Sequence, residues 1–123
     1  MNCKRILINF SNHPSALWGA EQLAAAQTYG EVIDLSFPQV NPGMSEKELQ
    51  ALSSQYVDKI LSMAKGQNAT VHIMGEMTFT FMVVTRLKEI GIQCVASTTE
   101  RKVTCDSDGT KISEFSFVQF REY

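Results

Sequence analysis

Three short polar segments carry the side chains of this sequence that are best suited to chemistry: Ser11–His13, Gly75–Thr78 and Ser97–Lys102. Each segment follows a run of apolar residues that is typical of a buried strand. In parallel sheets, ligands bind beyond the carboxyl ends of the strands, near the point where the strand order reverses. The positions of the three segments therefore predict one shared site at that edge of a sheet.

The first segment combines the hydrogen-bonding residues Ser11 and Asn12 with the titratable residue His13. Ser and Asn side chains bind phosphate or sugar oxygens, and the helix expected next offers free amides at its positive end. Histidine exchanges a proton near neutral pH, so His13 is a candidate acid or base. The alternative is that Ser11 and Asn12 only hold a turn and that His13 is solvated.

The second segment begins with Gly75, which lets a backbone approach a ligand closely. Glu76 and Thr78 follow at the start of the next expected helix, and all three are candidate ligand contacts. Glu76 is equally explained by a favourable interaction with the helix dipole. In the strand before this segment, His72 is expected to be a core or interface histidine rather than a catalyst.

The third segment places the hydroxyls of Thr98 and Thr99 beside two cations, Arg101 and Lys102. This combination predicts a phosphate cradle, because Arg presents a planar fork of donors. Successive residues of a strand point to opposite faces, so only one of the two cations reaches a given ligand. A pair of charges at a strand edge is the alternative.

The elements that position these segments alternate along the chain. Strands are predicted at 5–10, 31–37, 69–74, 92–97, 100–105 and 111–120, and helices at 16–28, from the Ser45–Glu48 capping box to Gly66, and at 77–90. A strand is the alternative for 77–90. The order predicts a single three-layer Rossmann-like α/β domain spanning 1–123, with a mostly parallel sheet (βαβαβαβ) and a C-terminal antiparallel β-hairpin.

Composition excludes several classes of function. The 123 residues include 11 Lys and Arg against 13 Asp and Glu, a net charge of −2, which argues against a surface that grips long nucleic acid. The composition does not exclude binding of a short or cyclic nucleotide in a pocket. Residues 77–85, the most apolar uninterrupted stretch, fall far below the ~20 residues that span a bilayer. With no signal-peptide pattern, we expect a cytoplasmic protein without a membrane partner.

The residues that commonly bind metals or cofactors form no recognisable pattern. Cys3, Cys94 and Cys105 lack a Cys-x-x-Cys spacing, so we expect buried, reduced thiols rather than disulfides or a zinc site. Two histidines and scattered acids likewise predict no metal site. Neither a G-x-G-x-x-G motif nor a Walker P-loop occurs, and no cofactor is expected.

Several stretches resemble one known family. Ala96–Val103, then an acidic turn and Phe115–Tyr123, look like the C-terminal half of small CRISPR-associated, CARF-like Rossmann-like proteins of type III CRISPR systems. Asn9–Pro14 and Met74–Glu76 are similar to the corresponding turns of that group. Several such proteins are ring nucleases, which open cyclic oligoadenylate messengers. Phe117 stands where some relatives have His, so no role is carried over from that position.

The resemblance implies a metal-independent ring nuclease that cleaves a cyclic oligoadenylate, above all cyclic tetra-adenylate, through attack by the ligand's own 2′-hydroxyl. It implies that Ser11, Asn12 and Thr78 bind ribose or phosphate, that Arg101 stabilises the transition state and that His13 is an acid or base. A two-fold symmetric ring further implies a homodimer. The alternatives are a sensor or sponge without catalysis, and a small Rossmann-like subunit that docks on a partner.

Overall fold

Five strands and three α-helices form between residues 4 and 123, the part of the chain that the computed structural model describes. The predicted thiol Cys3 lies outside these residues. The strands are β1 (Arg5–Ser11), β2 (Glu31–Asp34), β3 (Asn68–Met74), β4 (Gln93–Cys105) and β5 (Lys111–Glu122). The helices are α1 (Ala20–Gln27), α2 (Glu46–Ala64) and α3 (Met77–Ile90).

The five strands make one sheet in the order β2-β1-β3-β4-β5. β1 to β4 run parallel, and β5 returns antiparallel to β4. This confirms the predicted fold class, a mostly parallel sheet with a C-terminal antiparallel hairpin. The chain leaves β1 towards one side of the sheet and β3 towards the other, so the strand order reverses between these two strands.

The sheet face covered by α2 and α3 holds the larger apolar core. Phe10 and Phe79 are fully buried there, and Phe10 also contacts the rings of Phe37 and Tyr56 at centroid distances of 4.9 and 5.3 Å. The start of α2 and the end of α3 lie where the sequence predicts them. The Ser45–Glu48 capping box opens α2, and α3 stops at Gly91, whose φ of 93° is a left-handed conformation that glycine adopts freely.

The opposite face is covered by α1, a helix of only 8 residues. Its core is small and consists of Leu7, Trp18, Ala26, Val95 and Phe120. The predicted helix over 16–28 therefore begins late. A 3-10 turn at Ser15–Leu17 comes first and Trp18 then enters the core, so the α-helix starts after these residues.

Two predicted strand assignments are wrong. Strand β2 ends at Asp34 rather than at residue 37, because Phe37 turns into the core against Phe10. Residues 92–97 and 100–105 were expected to be separate strands, yet Gln93–Cys105 is one strand. A β-bulge shifts the pairing between Thr98 and Thr99, which bends the strand without ending it.

Beyond the bulge, β4 and β5 continue as a two-stranded ribbon, residues 100–115, whose side chains are all exposed. Cys105 lies on this ribbon and is exposed, so the prediction of a buried thiol is wrong there. It is confirmed for Cys94, where burial raises the pKa of the thiol to about 11. Within residues 4–123, no helix has the length and apolar character needed to cross a membrane.

Candidate functional site

A buried hydrogen-bond network centres on Asn9, near the carboxyl end of β1. The Asn9 side chain is 1% exposed. Its amide nitrogen donates to Asp34 Oδ1 at 2.8 Å and to the carbonyl oxygen of His13 at 2.9 Å. Its amide oxygen accepts from Ser11 Oγ at 2.7 Å and lies 2.9 Å from His72 Nδ1. The network ties β1 to β2, to β3 and to the turn after β1.

The network fixes the tautomer of His72. Because Asn9 Oδ1 only accepts hydrogen bonds, His72 Nδ1 must carry the proton and donate it. Nε2 is then an acceptor, and it has no hydrogen-bond partner among residues 4–123. Burial, together with the nearby charge of His13, lowers the pKa of His72 to about 4. His72 is therefore a neutral imidazole at pH 7, with a buried free lone pair.

Asp34 anchors the other end of the network. Ser15 donates to it through its backbone N–H at 3.2 Å and its hydroxyl at 2.8 Å. Burial raises the pKa of the Asp34 carboxyl, but the hydrogen bonds from Asn9 and Ser15 outweigh it and the net shift is downward. The ionised carboxylate thus holds both Asn9 and the turn after β1 in place.

A cleft of about 570 Å³ opens on the α1 face of the sheet, with His72 in its lining. The turn after β1, the start of α1, the middle of β4 and the aromatic part of β5 surround it. The lining comprises His13, Leu17–Gln22, His72, Ser97, Thr99 and Phe115–Phe117. A volume of this size suits a ligand as large as a nucleotide.

The cleft combines several kinds of binding group. Ser97 and Thr99 offer hydroxyls, and the rings of Phe115 and Phe117 offer surfaces on which a nucleobase can stack. At its N-cap, Gly19, helix α1 receives no side-chain hydrogen bond from residues 4–123, so its first amides face the cleft without a capping side chain from this part of the chain. Glu21 adds a negative charge to the same wall, which opposes an anion at that point.

Arg101 lies on the same sheet face as the cleft. It follows Thr99 by two residues, so strand alternation puts both side chains on one face, about 7 Å apart along the strand. Its guanidinium donates to Ser113 Oγ at 3.0 Å across the ribbon. Arg101 pairs with Phe115, which lines the cleft, whereas Lys102 points to the opposite face. Of the two predicted cations, Arg101 is thus the one placed near the cleft.

The sequence also matches a family model. The family described as "Uncharacterized protein MJ1673 family" matches residues 5–121. The chain belongs to the MJ1673 family. No curated protein matches the sequence. The family match spans β1 to β4 and all of β5 except its last residue, and so includes the whole cleft.

In this MJ1673-family protein, the second predicted segment lies away from the cleft. Glu76 is the N-cap of α3 and accepts hydrogen bonds from the backbone N–H groups of Thr78 and Phe79, each at 2.9 Å. The Thr78 hydroxyl and these amides lower the pKa of the Glu76 carboxyl. A side chain at Gly75 would overlap the ring of Phe37. The packing of the fold therefore accounts for Gly75 and Glu76 without a ligand, while Thr78 borders a separate cavity of about 810 Å³ between α2 and α3.

Two further predicted residues also lie apart from the cleft. Asn12 borders a separate hollow of about 210 Å³ beside Asp34. The Thr98 hydroxyl donates to the carbonyl oxygen of Gln119 at 3.1 Å and accepts from its N–H at 3.2 Å, which secures the β-bulge. Among the predicted residues, His13 and Thr99 line the cleft, Ser11 supports it from the network, and Arg101 lies at its margin.

Sequence reasoning did not select several residues of the candidate site. In the lining these include Trp18, Ser97, Phe115 and Phe117. In the network behind it they are Asn9 and Asp34. Asn9 carried a readable signal, since it is a polar residue inside the apolar run Ile6–Phe10. Trp18 is the single tryptophan of the chain, and it is 8% exposed. Asp34 gave no local signal. Among residues 4–123, no three His, Cys, Asp or Glu side chains come together as metal ligands do.

Proposed function

We propose that this protein is a metal-independent ring nuclease, which binds a cyclic oligoadenylate in the α1-face cleft and opens it. The observation that carries the proposal is the content of the cleft. His13 lies there with the hydroxyls of Ser97 and Thr99 and the rings of Phe115 and Phe117. A proton-transfer group, phosphate ligands and stacking surfaces are what a nucleotide phosphodiester requires.

The reaction needs no water and no metal. The 2′-oxygen of one ribose attacks the adjacent phosphorus and forms a P–O bond, while the bond from phosphorus to the 5′-oxygen breaks. The 2′-hydroxyl loses its proton and the departing 5′-oxygen gains one. The products end in a 2′,3′-cyclic phosphate and a 5′-hydroxyl. The protein's task is to align the 2′-oxygen and to stabilise charge on the phosphoryl oxygens.

The proposed roles follow from position. His13 is exposed at the cleft wall, where it can transfer a proton to or from the ribose oxygens. Arg101 stabilises the developing negative charge, after exchanging its hydrogen bond with Ser113 for one with the phosphate. Thr99 holds the phosphate from the strand side, and Ser97 joins it after exchanging its hydrogen bond with Met74 Sδ for one with the phosphate.

The sequence resemblance also supports the proposal that the ligand binds in this cleft. Both of its specific stretches, Ala96–Val103 and Phe115–Tyr123, contribute lining residues. We propose that the protein acts in the cytoplasm as part of type III CRISPR defence, where opening the ring switches off the signal. We also propose a homodimer, since two clefts related by a two-fold axis match the symmetry of a cyclic tetra-adenylate.

The test is incubation of the purified protein with cyclic tri-, tetra- and hexa-adenylate in the presence of EDTA, with products identified by mass. We expect linear fragments ending in a 2′,3′-cyclic phosphate from one ring size. A His13→Ala variant is expected to form them more slowly, because it lacks the proton-transfer group. Intact rings in every sample would overturn the nuclease proposal.

A sensor or sponge is the second candidate, and one observation favours it. The lining contains the acidic Glu21 and, among residues 4–123, no Lys or Arg, while Arg101 at its margin already bonds Ser113. Such a cleft can bind a ring mainly through base stacking, without stabilising a transition state. A binding titration on the same samples separates the two candidates, since a sensor binds the ring and releases no product.

A further inference from the structure

Two buried nitrogens at the cleft have no hydrogen-bond partner among residues 4–123: His72 Nε2 and Trp18 Nε1. Leaving a buried polar group unpaired costs about 1–3 kcal/mol, and native proteins retain few such groups. In the described part of the chain, the other unpaired buried side-chain atoms are the hydroxyls of Ser53 in α2 and Thr80 in α3. Neither of these hydroxyls lines the cleft, whereas both His72 and Trp18 do.

The two nitrogens are of opposite type. His72 Nε2 is an acceptor, because the network with Asn9 places the proton on Nδ1. The indole Nε1–H of Trp18 is only a donor. The two rings are in edge-to-face contact, with centroids 5.4 Å apart and an interplanar angle of 87°. One acceptor and one donor are thus carried by two rings that contact each other and that both line the cleft.

We propose that His72 and Trp18 form a subsite that reads the hydrogen-bonding edge of one adenine of the ligand. The 6-amino group donates to His72 Nε2, and the neighbouring ring nitrogen accepts from Trp18 Nε1–H. Adenine offers this donor–acceptor pair on both of its recognition edges. The inference rests on the proposed function, to which it adds the contact that selects the base.

The surroundings of the two nitrogens strengthen such contacts. His72 also meets the ring of Phe120 edge to face, with centroids 5.2 Å apart, and it is 2% exposed. A hydrogen bond formed in this apolar setting is stronger than one in water. The Asn9–Asp34 pair holds the imidazole in the tautomer that accepts, so both residues act as positioning residues.

A small movement opens the path to this subsite. Both nitrogens are buried in the structure, so the base must displace part of the wall to reach them. The 3-10 turn Ser15–Leu17, directly before Trp18, contains no buried residue, and Leu17 is 77% exposed. Displacing Leu17 therefore uncovers little apolar surface, while the hydrogen bonds from Ser15 to Asp34 hold the start of the turn in place.

Two conservative variants remove one nitrogen each. His72→Asn keeps an amide N–H one bond from Cγ, where Nδ1 donates to Asn9, and it lacks Nε2. Trp18→Phe keeps an aromatic ring and lacks the N–H. Phe81→Ala is the matched control, because Phe81 is 71% exposed and lines pockets on the other side of the sheet.

The measurement is calorimetric binding of two rings: cyclic tetra-adenylate, and the same ring built from purine riboside, which lacks the 6-amino group. The wild-type protein is expected to bind the adenylate ring about tenfold more tightly, as one lost hydrogen bond predicts. His72→Asn should bind both rings equally. Trp18→Phe should weaken binding of both rings by a similar factor, and Phe81→Ala should behave as wild type.

The outcomes separate this inference from the proposed function. Equal wild-type affinity for the two rings overturns the inference alone. No wild-type binding to either ring overturns the proposed function and the inference with it. Should a variant fail to fold, the indole N–H resonance of Trp18 in the wild-type protein decides, since this resonance must shift when cyclic tetra-adenylate binds. A stationary resonance during saturating binding also overturns the inference.

Discussion

The two faces of the sheet differ in what they bury. On the face under α2 and α3, the interior is mainly apolar and aromatic, with Phe10 and Phe79 among its fully buried side chains. Its unpaired buried atoms within residues 4–123 are two helix hydroxyls, of Ser53 and Thr80. On the face under α1, the interior contains a polar network and two nitrogens, on His72 and Trp18, that have no partner within the same residues. One face thus supplies most of the stability, and the other holds the groups that can bind a ligand.

The same strands build both faces, because alternate residues point in opposite directions. In β3, Val71 and Ile73 face the apolar side, and His72 between them faces the network. In β1, Phe10 faces the apolar side while Asn9 and Ser11 face the network. Substitutions at neighbouring positions should therefore have different consequences, which gives four ways to test the comparison.

The largest effect on stability is expected from Phe79→Ala. Phe79 is fully buried and contacts three other aromatic rings, so its loss leaves a large cavity. We expect the free energy of unfolding to fall by about 3–5 kcal/mol in urea denaturation. The matched variant Phe81→Ala, on the same helix but exposed, should change it by less than about 0.5 kcal/mol. Similar losses in both variants would contradict the assignment of the core to this face.

The next largest effect concerns turnover rather than stability. Arg101→Ala should cost about 2–4 kcal/mol in the transition state for ring opening, the loss typical of one electrostatic donor. The variant should remain as stable as wild type, because Arg101 is exposed. Lys102→Ala removes an equal charge from the opposite face and should leave turnover unchanged. Single-turnover rates of the two variants measure this difference. An equal loss of rate in Arg101→Ala and Lys102→Ala would show that the positive charge matters and its position does not.

The pH dependence of stability should reveal the neutral His72. The native state takes up this proton only near pH 4, whereas the unfolded chain takes it up near 6.5. Between these values the unfolded state holds more protons, so the free energy of unfolding falls as pH falls. The slope approaches about 1.4 kcal/mol per pH unit, or roughly 3 kcal/mol over the window.

Urea denaturation from pH 7 to 4.5 measures this slope. The lowered pKa of Asp34 keeps that carboxyl ionised through most of the window, so it contributes little to the slope. His72→Asn provides the comparison, because it removes the titrating group and should flatten the curve. Identical slopes for the two proteins would show that folding does not lower the pKa of His72.

The smallest effect is expected from Glu76→Ala. Because Glu76 caps α3 through two backbone N–H groups, its loss should cost about 1 kcal/mol of unfolding free energy. Binding of cyclic tetra-adenylate should not change, since the cap lies apart from the cleft. Thermal melting and a binding titration on the same variant measure both quantities. Weaker ring binding at unchanged stability would restore Glu76 to the ligand site.

The sequence predicted those features of the fold that depend on contacts between residues close together in the chain, and it did not predict those that depend on distant contacts. The capping box at Ser45 and the stop at Gly91 lie beside the helices they bound, so α2 and α3 were predicted correctly. The sequence of Ser97–Lys102 indicated a break between two strands, yet this segment is part of β4. The strand bends there at a β-bulge, and that bulge depends on the pairing with β5. Local composition does not reveal such a pairing.

The candidate site shows the same limit. Local polarity identified His13 and Thr99, which do line the cleft. It also selected Glu76, whose polar groups are satisfied within its own helix turn. The contact between Asn9 and His72 joins residues 63 positions apart, and only the fold brings them together. Whether a buried polar residue is paired or free could not be read from the sequence.

The ligand is expected to bind on the α1 face of the sheet and not on the α2–α3 face. A chemical-shift map of the wild-type protein titrated with cyclic tetra-adenylate tests this placement. We expect the backbone amides of Gly19 and Thr99 to shift while those of Met77 and Phe81 stay in place. Shifts confined to Met77 and Phe81 would instead place the ligand on the opposite face.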